Sequence, residues 1–204
     1  MRKALLHLTQ ADPVMAAIVA RAGPYKAAYL EPGLETLVRS IVYQQLNGRA
    51  ALTIFNRFAA AVKASPLTPE AVLKLRPQTM RKVGLSQQKT LYIRGLARMT
   101  RSGEIQFERL PELGDAEVVE HLTRVKGVGV WTVHMFLMFA LRRPDVLPVG
   151  DLGVRMAMKK AYGMAELPKP AEMEALAKPW RPYCSIASWY LWRSLETPVT
   201  PKNT

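Results

Sequence analysis

The sequence predicts an all-α fold. Apolar residues recur at helical spacing, as in the stripe formed by Leu34, Leu37, Val38 and Ile41. No stretch shows the alternation of apolar and polar residues that is typical of a strand. Hydrophobic residues make up 49% of the 204 positions, which is enough for a real core. We therefore expect one all-helical domain that spans residues 1–204.

Proline, glycine and capping residues mark where the helices begin and end. Asp12 followed by Pro13 is typical of a helix start, and Asn47-Gly48 is typical of a turn. In the first half of the chain, the predicted helices are 13–21, 34–46, 50–63, a short one from Pro69, one between Pro77 and Gly84, and 87–101. In the second half, they are 115–123 capped by Asp115, two apolar helices around Lys126-Gly127-Val128-Gly129, one from Asp151 to Gly163, and one beyond Pro182 that carries Trp189 and Trp192.

The charge of the chain favours a polyanionic partner. Lys and Arg number 29 against 16 Asp and Glu, so the formal net charge is +13. Between Arg39 and Arg101 there are twelve basic residues, and Glu70 is the only acid. Neutralising a DNA backbone requires such a basic stretch, although a surface that only keeps the protein in solution has the same composition.

The composition argues against a catalytic metal and against a disulfide framework. The single cysteine, Cys184, cannot form an internal disulfide, and His7, His121 and His134 lack ligand spacing. The most apolar segment, 131–141, is too short to span a membrane, and the N-terminus lacks a signal-like apolar run. We therefore expect a cytoplasmic protein that needs no cofactor for catalysis and has no membrane partner.

Two segments carry the chemistry. In 122–133, two glycines flank one aliphatic residue, which favours a tight turn whose following helix offers free N–H groups to a phosphate. The carbonyls of the same turn could hold a monovalent cation. In 146–155, Asp151 precedes a helix, and the helix dipole favours its negative charge. The plainer interpretations are an ordinary helix–helix turn and an ordinary N-cap.

Together, these segments resemble the helix-hairpin-helix DNA glycosylases, and within them the bacterial 3-methyladenine DNA glycosylase II branch. The resemblance covers about residues 34–192, and the supporting matches are 41–51, 84–90, 93–97 and 179–183 followed by Trp189. It implies two helical lobes with a DNA-binding cleft between them and no N-terminal β-domain. Lobe one would be about 34–133, and lobe two would be the N-terminal helix with about 134–195. The implied protein is a monomer whose partner is double-stranded DNA containing alkylated bases.

The resemblance also implies roles for individual residues. Asp151 would be the catalytic carboxylate, and Gln45 or Leu46 would be the wedge that fills the gap left by a flipped nucleotide. The implied DNA-binding residues are Gln45, Leu46, Lys89, Lys126, Gly127, Gly129 and Thr132; the implied base pocket is Tyr43, Trp131 and Trp189; and the implied ligands of a structural Na⁺ or K⁺ are the carbonyls of Thr123, Val125 and Val128. For Trp180, Trp189 and Trp192, core packing is the alternative.

One departure from the family narrows the expected reaction. In the lyase branch a lysine stands where this chain has Trp131, so the resemblance implies base removal without strand cleavage. Asp151 has no second acid in a comparable setting, which suits bases that are already cationic, such as 3-methyladenine and 7-methylguanine. Two alternatives stay open: a non-catalytic helix-hairpin-helix DNA-binding module, and a glycosylase for mismatched or oxidised bases.

Overall fold

The computed structural model describes residues 1–196, and these residues form helices without any strand. The predicted all-α class is confirmed. The α-helices are α1 (Arg2–Ala11), α2 (Pro13–Ala22), α3 (Leu34–Tyr43), α4 (Gly48–Val62), α5 (Pro69–Lys74), α6 (Pro77–Lys82), α7 (Gln87–Arg101), α8 (Asp115–Thr123), α9 (Val130–Phe139), α10 (Leu152–Ala161), α11 (Pro170–Ala177) and α12 (Cys184–Glu196). Two short 3₁₀ helices cover Phe107–Glu112 and Lys178–Trp180.

The chain divides into two compact units. One unit is the continuous segment Leu30–Phe136, here called the hairpin unit because it contains the glycine turn. The other combines Met1–Tyr29 with the chain from Leu137 onward, and it is called the terminal unit. Helix α9 begins in the first and ends in the second.

In the hairpin unit, helix α7 is the central packing element. It contacts α3, α5 and α6, while α4 packs against α3 and α5. The apolar stripe of α3 lies in this core, where Leu37 and Ile41 are fully buried together with Phe58, Ile93 and Leu96. Burial of such side chains supplies about 2 kcal/mol each, so this core holds the C-terminal end of α3 in place.

In the terminal unit, α12 packs against both α2 and α10, and α1 packs against α2. Its core includes Leu8, Met15, Met158, Trp180 and Tyr190, all of which have no exposed surface. The first helix of the chain therefore shares a core with the last, although they lie far apart in the sequence.

Two predicted helix ends are wrong in the structure. Helix α3 ends at Tyr43 rather than at residue 46, because Gln44 leaves the helical conformation with ψ of 129° and Gln45 is left-handed with φ of 57°. The predicted cap Asp115 is instead the first residue of α8, and Gly114 is the N-cap. The Gly114 N–H donates to the Glu117 carboxylate at 2.6 Å, so the first-turn acid reaches back over the helix start.

Helices α1 and α11 and the 3₁₀ helix Phe107–Glu112 were not predicted from the sequence. Helix α1 begins behind Met1, which makes no side-chain cap, and it buries only Ala4 and Leu8. Helix α11 begins with Pro170, and its Glu172 accepts the N–H of Lys169 at 2.6 Å. Because α1 lacks a start signal and α11 is short, the local sequence does not predict these helices, and tertiary packing stabilises them.

Candidate active site and nucleic-acid interface

The glycine turn connects α8 to α9 and is closed by backbone hydrogen bonds. The Val125 N–H donates to the Leu122 carbonyl at 3.1 Å, and the Val128 N–H donates to the Val125 carbonyl at 2.9 Å. Gly127 has φ of 91°, and a Cβ there would lie 2.1 Å from the ring of Tyr92. Only glycine fits this position, because both the backbone conformation and the aromatic contact exclude a side chain.

Helix α9 begins directly after the turn, with its N-terminal end near the surface. The Gly129 carbonyl accepts the Val133 N–H at 3.1 Å, and the N–H groups of the first turn have no partner within the helix. Gly129 and Lys126 are exposed, and Trp131 is 46% exposed. Thr132, also predicted to contact DNA, is only 4% exposed. This end of α9 can receive an anion.

The segment between α3 and α4 forms an exposed turn, here called the wedge turn (Gln44–Asn47). Gln45 and Leu46 are exposed, and the Leu46 N–H donates to the Tyr43 carbonyl at 3.3 Å. Asn47 caps α4 by accepting the Ala50 N–H at 2.9 Å. Both candidate wedge residues therefore project from a short turn that is anchored at its two ends.

Lys89 lies beneath the wedge turn. Its ammonium donates to the carbonyls of Val42 at 2.8 Å and of Gln44 at 2.6 Å. Burial lowers the pKa of Lys89 from its usual value. These bonds hold the C-terminal end of α3, and the DNA contact expected of Lys89 stays a prediction.

A cavity of about 430 Å³ lies in the hairpin unit beside the wedge turn. Trp131 and Tyr43, both predicted to line a base pocket, meet in its wall. The guanidinium of Arg39 lies 5.0 Å from the centre of the Tyr43 ring and donates to the Tyr43 hydroxyl at 3.2 Å. The lining residues are Leu30, Arg39, Ser40, Tyr43, Gln44, Gln45, Trp131, Thr132 and Met135.

Arg39 gives this cavity a positive wall. Within residues 1–196, its partners are Tyr43 and the ring of Phe55, and no carboxylate pairs with it. One face of Tyr43 is thus already covered by a cation. Trp131 lines the same cavity and is 46% exposed, so its ring offers an aromatic surface to a planar base.

Asp151 belongs to the terminal unit, where it caps helix α10. It is 8% exposed, and its Oδ1 accepts the Val154 N–H at 2.7 Å and the Trp192 Nε1–H at 2.8 Å. A Cβ on Gly153 would lie 3.0 Å from Trp192 and 3.1 Å from Asp151 Oδ1. Helix dipole, backbone donor and indole donor together stabilise negative charge at this oxygen.

The remaining predicted pocket residue, Trp189, also lies in the terminal unit. Its ring is 4.7 Å from that of Tyr25 and 4.9 Å from that of Tyr190, and Arg193 stacks on it at 5.7 Å. It is only half-buried. Trp180, by contrast, has no exposed surface and donates its indole N–H to Asp12 at 2.8 Å, which makes it structural.

The carbonyls of the glycine turn that the resemblance implies as cation ligands are only partly used in backbone hydrogen bonds. Thr123 is the last residue of α8, so its carbonyl has no intrahelical N–H to accept. The Val125 carbonyl accepts one N–H and retains a second lone pair. These carbonyls suit a monovalent cation. In the described part of the chain, no group of three His, Cys, Asp or Glu side chains could hold a metal ion.

The chain matches one known protein family over most of its length. Residues 38–182 match the family model described as HhH-GPD superfamily base excision DNA repair protein. The chain belongs to this superfamily. The matched range contains the wedge turn, the glycine turn, Trp131 and Asp151, whereas Trp189 and Trp192 lie beyond its end.

Individual relatives are similar to this chain over most of its length. DNA-3-methyladenine glycosylase 1 of Schizosaccharomyces pombe is 32% identical over 98% of this chain and 92% of its own length. The solved structure of 3-methyladenine DNA glycosylase Mag1 of the same yeast, in complex with abasic DNA, has a TM-score of 0.84 and 33% identity, and the match covers 96% of this chain and 97% of that one. YfjP of Bacillus subtilis is 35% identical over 78% of this chain, which spans 58% of that relative.

Two contacts made by the predicted site residues Asp151 and Tyr43 were not predicted from the sequence. For Trp192, core packing was weighed as the alternative, but its donation to Asp151 from 41 positions away was not predicted. Arg39 was counted as part of the basic stretch, although it lies on Tyr43 in the cavity wall. The spacing of Arg39 and Tyr43, one helical turn apart, was the available signal for the second contact.

Proposed function

We propose that this chain is a DNA glycosylase that removes alkylated bases, such as 3-methyladenine and 7-methylguanine, from duplex DNA in base excision repair. Membership of the superfamily and the likeness to the yeast glycosylase on abasic DNA support this proposal. The observation that carries it is Asp151, a buried carboxylate fixed at the start of α10 by a backbone and an indole donor.

The proposed reaction begins with extrusion of the target nucleotide, which costs a few kcal/mol. The first N–H groups of α9 and the exposed Lys126 would bind backbone phosphate, and Gln45 or Leu46 would fill the gap in the stack. Trp131 would then stack on the extruded base in the hairpin-unit cavity. These contacts together offset the cost of unpairing.

The chemical step is assigned to Asp151. The C1′–N bond breaks with its electron pair passing to the base, and the sugar acquires oxocarbenium character. The negative carboxylate stabilises this charge, a water oxygen adds to C1′, and the water's proton passes to solvent. A cationic base leaves as a neutral molecule, so a second carboxylic acid is not required.

We also propose that the reaction stops at the abasic site. A lyase needs an amine that forms a Schiff base with C1′. At the position where the resemblance places that lysine, this chain has Trp131, whose indole nitrogen is not a nucleophile.

We further propose that the carbonyls of Thr123, Val125 and Val128 hold a structural Na⁺ or K⁺. We also propose that the active form is a monomer.

The test uses duplex oligonucleotides that each carry one alkylated base. Release of the free base, with strand breaks appearing only after alkali treatment, is the expected result. Breaks that form without alkali would overturn the proposed absence of lyase activity. Tight DNA binding with no base release from any lesion would instead favour a non-catalytic DNA-binding module.

A further inference from the structure

Gln44 joins two parts of the hairpin unit that are far apart in sequence. Its side-chain Nε2 donates to the Gly127 carbonyl at 2.7 Å, across 83 positions of the chain. Its own backbone carbonyl accepts the Lys89 ammonium at 2.6 Å. Gln44 is therefore bonded at one end to the glycine turn and at the other to helix α7.

The residue that follows is the exposed Gln45, which has a left-handed backbone. Such a conformation is unfavourable for a residue other than glycine and persists only where its surroundings hold it. The Lys89 ammonium also donates to the Val42 carbonyl at 2.8 Å, so it holds the end of α3 immediately before the turn. The base of the wedge turn is thus fixed on both sides.

The partner of Gln44 is equally well fixed. Gly127 lies against Tyr92 with no room for a Cβ, and the Tyr92 hydroxyl accepts the side-chain amide of Gln88. Both Tyr92 and Lys89 project from α7. Helix α7 therefore supports the glycine turn through Tyr92 and the wedge turn through Lys89, while Gln44 bonds the two turns directly.

We propose that Gln44 and Lys89 are positioning residues that hold the wedge turn in register with the phosphate-binding glycine turn. This inference rests on the proposed function. When the glycine turn binds a backbone phosphate, the bond from Gln44 fixes where Gln45 and Leu46 stand relative to that phosphate. Phosphate binding is thereby coupled to insertion of the wedge, and so to extrusion of the base.

The inference predicts an effect that depends on base pairing. Extrusion costs least for a base that is already unpaired, so a well-placed wedge matters most for a paired lesion. Gln44→Met keeps the length of the side chain and removes the donor. One lost hydrogen bond of this kind is expected to slow excision of a paired lesion by up to about tenfold, with excision of the same lesion opposite an abasic site changed less than about twofold.

The experiment measures single-turnover excision on these two substrates, together with 2-aminopurine fluorescence beside the lesion as a direct readout of extrusion. Lys89→Met is the second variant and is expected to show the same selective loss. Gln87→Met, at an exposed position on α7, is the control for the amide, and Lys82→Met is the control for loss of charge. Thermal unfolding checks that each variant is folded.

The outcomes separate the inference from the function on which it rests. If Gln44→Met slows both substrates equally, or neither, the positioning role is wrong while the glycosylase assignment stands. If the unaltered chain releases no base from either substrate, the proposed function itself fails. A selective loss on the paired lesion, matched by weaker 2-aminopurine fluorescence and absent from both controls, supports the inference.

Discussion

Two aspartates of the terminal unit begin a helix in nearly the same way. Asp12 caps α2 and Asp151 caps α10, and the two are 7% and 8% exposed. Each accepts an indole N–H at 2.8 Å, from Trp180 and from Trp192. The two aspartates are equivalent in their N-cap position and in burial, so the difference between them lies in the groups that surround each carboxylate.

Asp12 is enclosed by donors on both oxygens. Its Oδ1 accepts the N–H groups of Val14 and Met15, and its Oδ2 accepts Tyr162 and Trp180. Burial opposes ionisation, but the bonds from Trp180, Tyr162 and the backbone outweigh it and lower the pKa of Asp12 below 3.8.

At Asp151, Oδ1 accepts the N–H groups of Val154 and of Trp192. The residue that follows each aspartate is exposed, but the indole partners differ, because Trp192 is only partly buried whereas Trp180 is fully buried. The indole that holds Asp151 is therefore partly open to solvent, whereas the indole that holds Asp12 is not. The same cap thus serves structure in one place and, as proposed here, chemistry in the other.

The largest expected effect comes from Asp151→Asn. Asparagine is also a good N-cap, so the helix keeps its start while the site loses its negative charge. Base release from alkylated duplex DNA should fall at least about 100-fold, which corresponds to roughly 3 kcal/mol of transition-state stabilisation. Single-turnover release of 3-methyladenine measures this, with DNA affinity by fluorescence anisotropy as the control. Full activity in this variant would refute the assignment of Asp151.

The matched change Asp12→Asn should act on stability instead. It removes the charge that two backbone N–H groups, a hydroxyl and an indole all face, and about 2–3 kcal/mol of unfolding free energy should be lost. Urea unfolding measures the change. Activity per folded molecule should stay within about twofold of the original, and a selective loss of activity would erase the distinction between the two caps.

The two indole donors offer a finer comparison. Trp192→Phe keeps an aromatic ring but removes the donor to Asp151, and it should slow base release by up to about tenfold. Trp180→Phe should instead lower the free energy of unfolding by about 1–2 kcal/mol and leave the excision rate unchanged. If both variants affect only stability, Trp192 is packing alone.

The smallest effect is the dependence of stability on pH. Since the folded-state pKa of Asp12 lies below its unfolded value, its contribution is complete above about 3.8 and is lost as the pH falls through the folded value. The difference in unfolding free energy between the original chain and Asp12→Asn should therefore shrink progressively as the pH falls below 3.8. A difference that grows with acid would contradict the bonding described for Asp12.

Local signals predicted much of the fold. Asp12 and Asp151, both predicted as N-caps, cap α2 and α10 through their side chains, and α7 has the predicted bounds of 87–101. The left-handed Gln45 was not predictable, because nothing in the local sequence requires it; it depends on Lys89 and on the bond from Gln44.

For the candidate site, the family resemblance assigned residues to one pocket that their spacing in the sequence could not group. Trp131 and Tyr43 lie 88 positions apart and line one cavity, as expected of a shared pocket. Lys89 was predicted as a DNA contact because it falls in a matched motif, but its ammonium is bonded to two carbonyls. Motifs identify which residues matter, whereas the direction of a long side chain is set by the helices packed around it.

Gly153 decides how much sequence change the Asp151 site can tolerate. A methyl group there would meet the Trp192 indole at 3.0 Å and the Asp151 carboxylate at 3.1 Å, closer than ordinary van der Waals contact. Its backbone is otherwise compatible with any residue at a helix start. Alanine, one nucleotide away in the genetic code, would be harmless to α10 yet would push the indole from the carboxylate. A natural variant that folds normally and repairs poorly could therefore arise at a position that has no side chain of its own.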